Sequence, residues 1–511
     1  MPIEHSWTEL RRGTQDLRSL LAFRRSGLAP ATRRRLAWAG ALVGLLTLVM
    51  AVVPAFLQKP LDARNRDDLL LLMPTLYLGF VVLTVIAAIS SGGGREVIPR
   101  DEAVAFPISS VTEHLGALLF APLNIAWLIQ AWTLLAATSY ALGTDNLWAS
   151  VTAVLVWILV ATAIGQAIGW AFEGVRRGWH GVLIARTISG LLALAAAAIV
   201  LAGKVGALLD EAPTLRVFLV AVDASEGRML EWLQGVAVLV LMLLAAVVVG
   251  LLPARWALER PLREELRLES GIREARPDPR SDLAGMVRLD RASIWRSVPL
   301  RRGLVVLASM PGAIAVAGDL DWDLVVVLPG LVASGAALLF GVNAWCLDGR
   351  GALWRDSLPT SPGIAYYAKV VVLLEVTVAS ALPTVVFAGL RAGRPTSAEL
   401  VSVIAATIVV ASQVVASSMR WSVTRPFAMN LRSARATPAP PVVMAGYSAR
   451  LALRTTIVGL LFSATSLADG PAPALVLAVP LLLWSGYRIA NTASAWAEPV
   501  TRSRVIAVVA T

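Results

Sequence analysis

The chain has 511 residues, of which 57% are hydrophobic and only 15% charged, and its mean hydropathy is +0.71. A soluble domain carries about 25% charged residues, so the composition excludes a large soluble enzyme, and the single cysteine, Cys346, excludes a disulfide framework or a cysteine-rich metal site. The net charge of +11 comes almost wholly from arginine, with lysine only at Lys59, Lys204 and Lys369; its meaning depends on where the arginines lie.

Residues 7–23 set Leu10, Leu17, Leu20, Leu21 and Phe23 among Arg11, Arg12, Asp16 and Arg18. This spacing predicts an amphipathic helix suited to the headgroup plane or to packing on its own protein. The first apolar run begins near residue 36 with no cleavage pattern after it, so no secretory signal is expected. Twelve apolar segments follow, at about 36–57, 69–91, 113–141, 147–172, 184–202, 234–253, 303–318, 324–346, 364–388, 400–419, 451–467 and 473–491. A helix needs about 20 apolar residues to cross a bilayer, and helices are expected because an open strand leaves its backbone unpaired in lipid. The expected fold class is therefore an all-α polytopic membrane protein of about 12 transmembrane helices.

With the N-terminus inside, most Lys and Arg residues fall in cytoplasmic segments, while the outer loops are net negative through clusters such as Asp319, Asp321 and Asp323. This positive-inside pattern accounts for the charge without nucleic acid and predicts a multi-pass protein of the plasma membrane with both termini cytoplasmic. Lys369, Arg454 and Arg488 are placed inside spans.

The spans divide six and six around residues 254–302, which hold 12 Arg and 8 Asp or Glu. Residues 283–298 within this segment place Leu283, Met286, Val287, Ile294 and Trp295 among Arg288, Asp290, Arg291 and Arg296, a second amphipathic approach. Phe106-Pro107-Ile108-Ser109-Ser110 follows span two, and Leu358-Pro359-Thr360-Ser361-Pro362 follows span eight, 252 residues later. Gly165-Gln166 near the end of span four is echoed by Ser412-Gln413 near the end of span ten, each before a basic loop. Matching positions within each six-span unit point to an internal duplication.

Soluble catalytic constellations are missing from the sequence. There is no G-x-x-x-x-G-K-[ST], and none of the three lysines precedes Ser or Thr, so the chain has no P-loop of its own. Neither H-E-x-x-H nor G-x-S-x-G occurs, and His5, His114 and His180 are scattered; no metal site is expected. The informative stretch is 341–362, where Asp348-Gly349-Arg350-Gly351 has turn composition, residues 352–358 suit a short amphipathic helix, and Pro359 and Pro362 end it.

The pattern N-x-x-x-L-D-G-R-G from Asn343, then L-P-x-S-P, then Lys369 eight residues after Ser361, resembles permease subunits of type-2 ABC exporters. The resemblance implies an elbow helix before each first span and a coupling helix between spans two and three that docks on a separate ATPase. On this reading residues 1–253 are a first six-span half with its elbow helix, 254–302 a basic cytoplasmic linker with the second elbow helix, and 303–511 the second half. The ATPase-coupling residues it implies are Arg95, Glu96, Arg100, Asp101, Glu102, Phe106 and Pro107, and in the second half Asp348, Arg350, Trp354, Arg355, Asp356 and Pro359. The first loop departs from the pattern, with Gly92-Gly93-Gly94-Arg95 opposite Asp348-Gly349-Arg350-Gly351. The implied partners are two copies of a P-loop ABC ATPase, which would hold ATP and Mg, and a small amphiphilic, lipid or peptide substrate; the chain would have no cofactor and no covalent chemistry of its own. A short re-entrant element is implied within 205–232.

Polar residues inside a bilayer are costly and tend to face protein or a pathway. Glu375, Asn124, Gln130, Gln166 and Gln413 are the candidates for a substrate pathway, with interhelical hydrogen bonding as the plainer role. Gly40-x-x-x-Gly44 and Gly165-x-x-x-Gly169 are expected to let helices approach closely. A secondary transporter of the major facilitator type also has cytoplasmic termini, six plus six spans and a long central loop, and stands as the alternative reading.

Overall fold

Long runs of Ala, Leu and Val give each segment of this chain one way to pair its backbone away from water, within itself, and helices result. The computed structural model describes residues 2–26, 30–57, 63–90, 109–121, 125–202, 212–260, 279–296, 298–318, 320–341, 343–428 and 441–510, and among these all regular structure is helical. The chain divides into two compact units, Met1–Gly271 and Ile272–Thr511.

The first unit contains α1 (Pro2–Ser26), α2 (Pro30–Val52), α3 (Ala63–Ser90), α4 (Ser110–Phe120), α5 (Ile125–Leu142), α6 (Leu147–Arg176), α7 (Gly181–Leu201), α8 (Thr214–Ser225) and α9 (Met229–Leu258). Helix α6 is central, packing on α3, α5, α8 and α9. Its small residues make this possible. A Cβ at Gly165 would lie 2.9 Å from the Thr84 carbonyl carbon, and one at Gly169 would lie 2.7 Å from Ala88 Cβ, so this G-x-x-x-G seats α3 as expected. Gly40 and Gly44 differ, with nothing within 4 Å of either Cβ position. Larger side chains fill the centre: Met73, Tyr77 and Phe80 of α3 meet Leu134 and Leu135 of α5, Trp157 of α6 and Phe218 of α8. Within 205–232 the structure has α8, whose 12 residues bury Phe218, Ala221 and Ala224 and which packs on α3, α6 and α9.

The second unit contains α10 (Asp282–Arg296), α11 (Val298–Ala317), α12 (Trp322–Val325), α13 (Leu328–Ala336) leading into a π turn at Ala337–Gly341, α14 (Gly351–Asp356), α15 (Pro362–Gly389), α16 (Ser397–Thr424), α17 (Pro441–Ser466), α18 (Ala472–Ala497) and α19 (Pro499–Ala510). Helix α16 is the central element here, in contact with α13, α15, α17 and α18. It starts on a reciprocal cap in which Thr396 Oγ1 accepts from Glu399 N while Glu399 accepts from Thr396 N, satisfying two of the N–H groups a helix start leaves unpaired.

Each of the twelve predicted segments overlaps helix, and among the described residues seven helices are long and apolar enough to cross a membrane: Leu69–Ile89, Leu147–Arg176, Met229–Leu258, Trp322–Leu339, Pro362–Gly389, Ser397–Thr424 and Ala472–Ala497. The protein thus has the character of an all-α, multi-pass membrane protein. Gly40–Phe56, Leu183–Leu192 and Gly303–Val316 are further, shorter apolar helical stretches among the described residues. The third predicted segment is divided between α4 and α5, with residues 122–124 outside the described chain.

The repeated F/L-P-x-S motif has a shared local role. Ser109 Oγ accepts from Thr112 N at 3.1 Å and starts α4, while Ser361 Oγ accepts from Ile364 N at 3.4 Å and starts α15. Each serine is an N-cap, a role that stabilises a helix by about 1 kcal/mol relative to alanine.

Candidate functional site

The most distinctive chemistry lies where α10, the 343–358 segment and the start of α15 meet in the second unit. Asn343 anchors this segment: its Nδ2 donates to the Phe427 carbonyl at 2.8 Å, its Oδ1 accepts from Trp345 N, and Ser422 Oγ accepts from Ala344 N. The backbone then turns through Gly349, whose φ of +49° is left-handed, a conformation glycine adopts without a side-chain penalty. Helix α14 follows for one and a half turns, and the Ser361 cap starts α15.

Four charged side chains converge beneath this turn. Arg355 of α14 grips Asp290 of α10 with both terminal nitrogens, Nη1 to Oδ1 at 2.6 Å and Nη2 to Oδ2 at 2.9 Å, and its Nη1 lies 3.3 Å from Asp348 Oδ2. Lys369 Nζ of α15 bridges the same carboxylates, 2.7 Å from Asp290 Oδ1 and 2.8 Å from Asp348 Oδ1. All four side chains are at most 5% exposed. Two cations and two anions make a neutral set, the arrangement that lets buried charge persist. Burial by itself would raise the Asp290 carboxyl; the Lys369 ammonium and the Arg355 guanidinium outweigh it and hold it below the ordinary carboxylate range.

An aromatic wall backs the cations. Trp345 stacks on Trp496 with ring centroids 3.9 Å apart and planes 6° from parallel, and Trp496 Nε1 donates to the Pro362 carbonyl. Arg355 and Lys369 both lie over the Trp345 ring, at 5.6 and 5.5 Å from its centroid, so its electron-rich face adds to the attraction. Beside the stack, a recess of about 190 Å³ is lined by Trp345, Asp356, Thr360, Trp496, Arg502 and Ile506, among others. This is smaller than the roughly 300–1,000 Å³ of small-molecule sites and suits a side chain better than a substrate.

The structure separates the predicted coupling residues of the second half. Arg350, Trp354, Asp356 and Pro359 are exposed, as is Leu353. Asp348 and Arg355 are not: their side chains are consumed by the buried set and hold the turn in shape. Asp356 accepts from Arg502 Nε of α19 at 2.9 Å. Arg95, Glu96, Arg100, Asp101, Glu102, Phe106 and Pro107 of the first half lie outside the described residues, as does Asn124. Among the pathway candidates, Gln130 of α5, Gln166 of α6 and Gln413 of α16 are half-buried. Glu375 of α15 receives two bonds from Arg291 of α10, Nε to Oε2 at 2.8 Å and Nη2 to Oε1 at 2.5 Å. Its carboxylate therefore fastens the amphipathic lead-in helix to α15.

Asp290 and Lys369 are the members of the set that sequence reasoning did not assign a role. A signal was present in the periodicity. Asp290 falls between Met286 and Ile294 at steps of four, and Lys369 lies between Tyr366 and Leu373, so each is a charge on the apolar stripe of its helix. Among the described residues, no group of three or more His, Cys, Asp and Glu side chains converges to hold a metal ion.

Comparison of the chain with known protein families, with curated proteins and with solved structures finds no match.

Proposed function

We propose that this chain is the membrane-spanning permease subunit of an ATP-driven exporter of the ABC type, coupled to separate ATPase subunits through the 343–362 segment. The observation that carries this reading is an exposed turn and short helix, Arg350 to Pro359, rigidly tied by buried charges to both a long apolar helix and an amphipathic lead-in helix. A force applied to Leu353 and Trp354 at the surface would pass to α15 through Arg355, Asp290 and Lys369 without a flexible joint. The exposed apolar pair also suits a docking partner, since Trp354 and Leu353 are 57% and 59% exposed beside Arg350 and Asp356.

On this reading the chain spans the membrane twelve times as two six-helix halves, with both termini cytoplasmic. One copy pairs with two ATPase subunits, which hold ATP and Mg, and a small amphiphile, lipid or peptide passes through. Coupling in the first half would use residues 95–107, leading to the Ser109 cap that matches Ser361 in role. Co-purification from native membranes tests the proposal. Recovery of a P-loop ATPase at two copies per chain is the expected result, and charge reversal at Arg350 and Asp356 is expected to uncouple ATP hydrolysis from transport at unchanged expression. Transport by the isolated chain on an ion gradient would overturn it in favour of a secondary transporter.

A further inference from the structure

A second charged cluster, away from the coupling segment, has no counter-ion among the described residues. Arg454 of α17 and Arg488 of α18 each direct Nη1 at the Ser417 hydroxyl of α16, both at 3.4 Å. The charges of Arg454 and Arg420 both bear on Arg488. Arg488 Nε is buried without a hydrogen-bond partner. Close by, Arg425 and Arg450 lie over the Trp421 ring, at 4.8 and 5.8 Å from its centroid. Among the described residues, no Asp or Glu lies within ion-pair distance of these five arginines.

Three like charges from three helices repel, and two long bonds to one hydroxyl offset little of that. Arg454 and Arg488 lie inside predicted spans, where an arginine without an anionic partner is expensive. Snorkelling towards water would spread Arg454 and Arg488 apart, whereas both direct Nη1 at the one Ser417 hydroxyl.

The first unit shows what is missing. Seven residues after Gln166 stands Glu173, and seven residues after Gln413 stands Arg420. Glu173 is buried and accepts from both Arg176, at 2.7 Å, and Arg177, at 2.9 Å. Where the first unit supplies its own anion, the second supplies another cation at the matching position, and no carboxylate among the described residues neutralises it. Three guanidiniums offer more forked donors than the two oxygens of one carboxylate can use, and they match the three or four oxygens of a phosphate.

We propose that Arg420, Arg454 and Arg488, with the Ser417 hydroxyl, form a binding site for a phosphate-bearing anion at this end of α16–α18. The site stands independently of the coupling segment. Its ligand is either the headgroup of an anionic phospholipid or the phosphate of a soluble or transported ester.

The test uses the full chain, purified and delipidated in detergent. Native mass spectrometry measures retention of phosphatidylglycerol against phosphatidylcholine, and thermal melts are titrated with inorganic phosphate. Selective retention of phosphatidylglycerol identifies a lipid headgroup; stabilisation by inorganic phosphate alone identifies a soluble ester. Loss of a charge-assisted bond is expected to weaken binding about tenfold in Arg420→Gln and further in Arg454→Gln/Arg488→Gln. Arg420 is exposed and makes no side-chain bond, so its variant reports even if the double variant does not fold. Equal retention of both lipids with no stabilisation by phosphate overturns the proposal, as does unchanged binding in a folded Arg420→Gln protein.

Discussion

The two amphipathic lead-in helices are fastened by opposite chemistry. Helix α1 rests on α4 through Leu17, Leu20, Leu21, Leu115 and Phe120, with Gly13 so close to Val111 that an added Cβ would lie 2.6 Å from Val111 Cγ1. Helix α10 rests on α15 through apolar residues too, but its centre is Asp290, clamped by Arg355 and Lys369. An apolar contact is non-directional and roughly proportional to area, so α1 is positioned by shape, with Gly13 seated against Val111. A bidentate ion pair in a dry site has one good geometry, so α10 is held by charge as well as by shape. The comparison teaches that the same outline, an amphipathic helix before a bundle, is fastened either by close apolar packing or by a buried ion set that makes it a strut.

The largest expected effect comes from Arg355→Ala. It leaves Asp290 and Asp348 sharing only Lys369, and breaking a buried ion set in this way costs about 3–5 kcal/mol. Hydrogen exchange should show α10 losing protection while α1 keeps it; equal protection of the two would break the comparison.

Acid should separate the helices in the same order. The Asp290 carboxyl is held below its ordinary range by Lys369 and Arg355, against burial, so around that range the folded state binds fewer protons than the unfolded one. The resulting stability is complete above the unfolded aspartate value of about 3.9 and is lost as pH falls through the lower native value. Exchange rates on α10 should rise across that window, whereas Leu17, Leu20, Leu21, Leu115 and Phe120 carry no group that titrates.

A smaller effect is expected in the first unit. Gly13→Ala forces its methyl group onto Val111, an overpacking cost of about 1–3 kcal/mol against a gain of up to about 1 kcal/mol in helix propensity. A net loss of about 1 kcal/mol in the melt of the detergent-solubilised protein is expected, and the second change Val111→Ala should restore the seating of α1. Failure of that rescue would place the constraint elsewhere.

Smallest of all is Glu375→Gln. The Arg291–Glu375 pair is 53% and 40% exposed, and exposed pairs contribute about 0.2–1 kcal/mol. A shift comparable to that of Arg355→Ala would show that Glu375, not the buried set, holds the strut.

Much of this architecture is legible without coordinates. The apolar runs locate the long helices among the described residues, because a segment of that composition pairs its backbone internally wherever it lies, but not α19, whose Pro499–Ala510 lies beyond the last predicted segment. Glu375 shows where such reading stops. As the one acid well inside a predicted span it reads as a pathway residue, yet its partner Arg291 is 84 positions away in sequence. The same holds for Asp348 and Arg355, which read as surface charges of a turn and are buried because Asp290 and Lys369 come to meet them. The serine caps are intermediate: the repeat of F/L-P-x-S marks two equivalent places, and the structure adds that each serine starts a helix.

What the sequence by itself determined is therefore the all-helical, membrane-type class, the long apolar helices and the places of the repeated F/L-P-x-S motif, all of which follow from composition and from interactions within a few residues along the chain. The tertiary structure alone decided which charges are neutralised. Ion pairing depends on a few ångströms between side chains from distant helices, and it leaves Asp290, Asp348, Arg355 and Lys369 balanced while Arg454 and Arg488 meet at Ser417 with no anion among the described residues beside them.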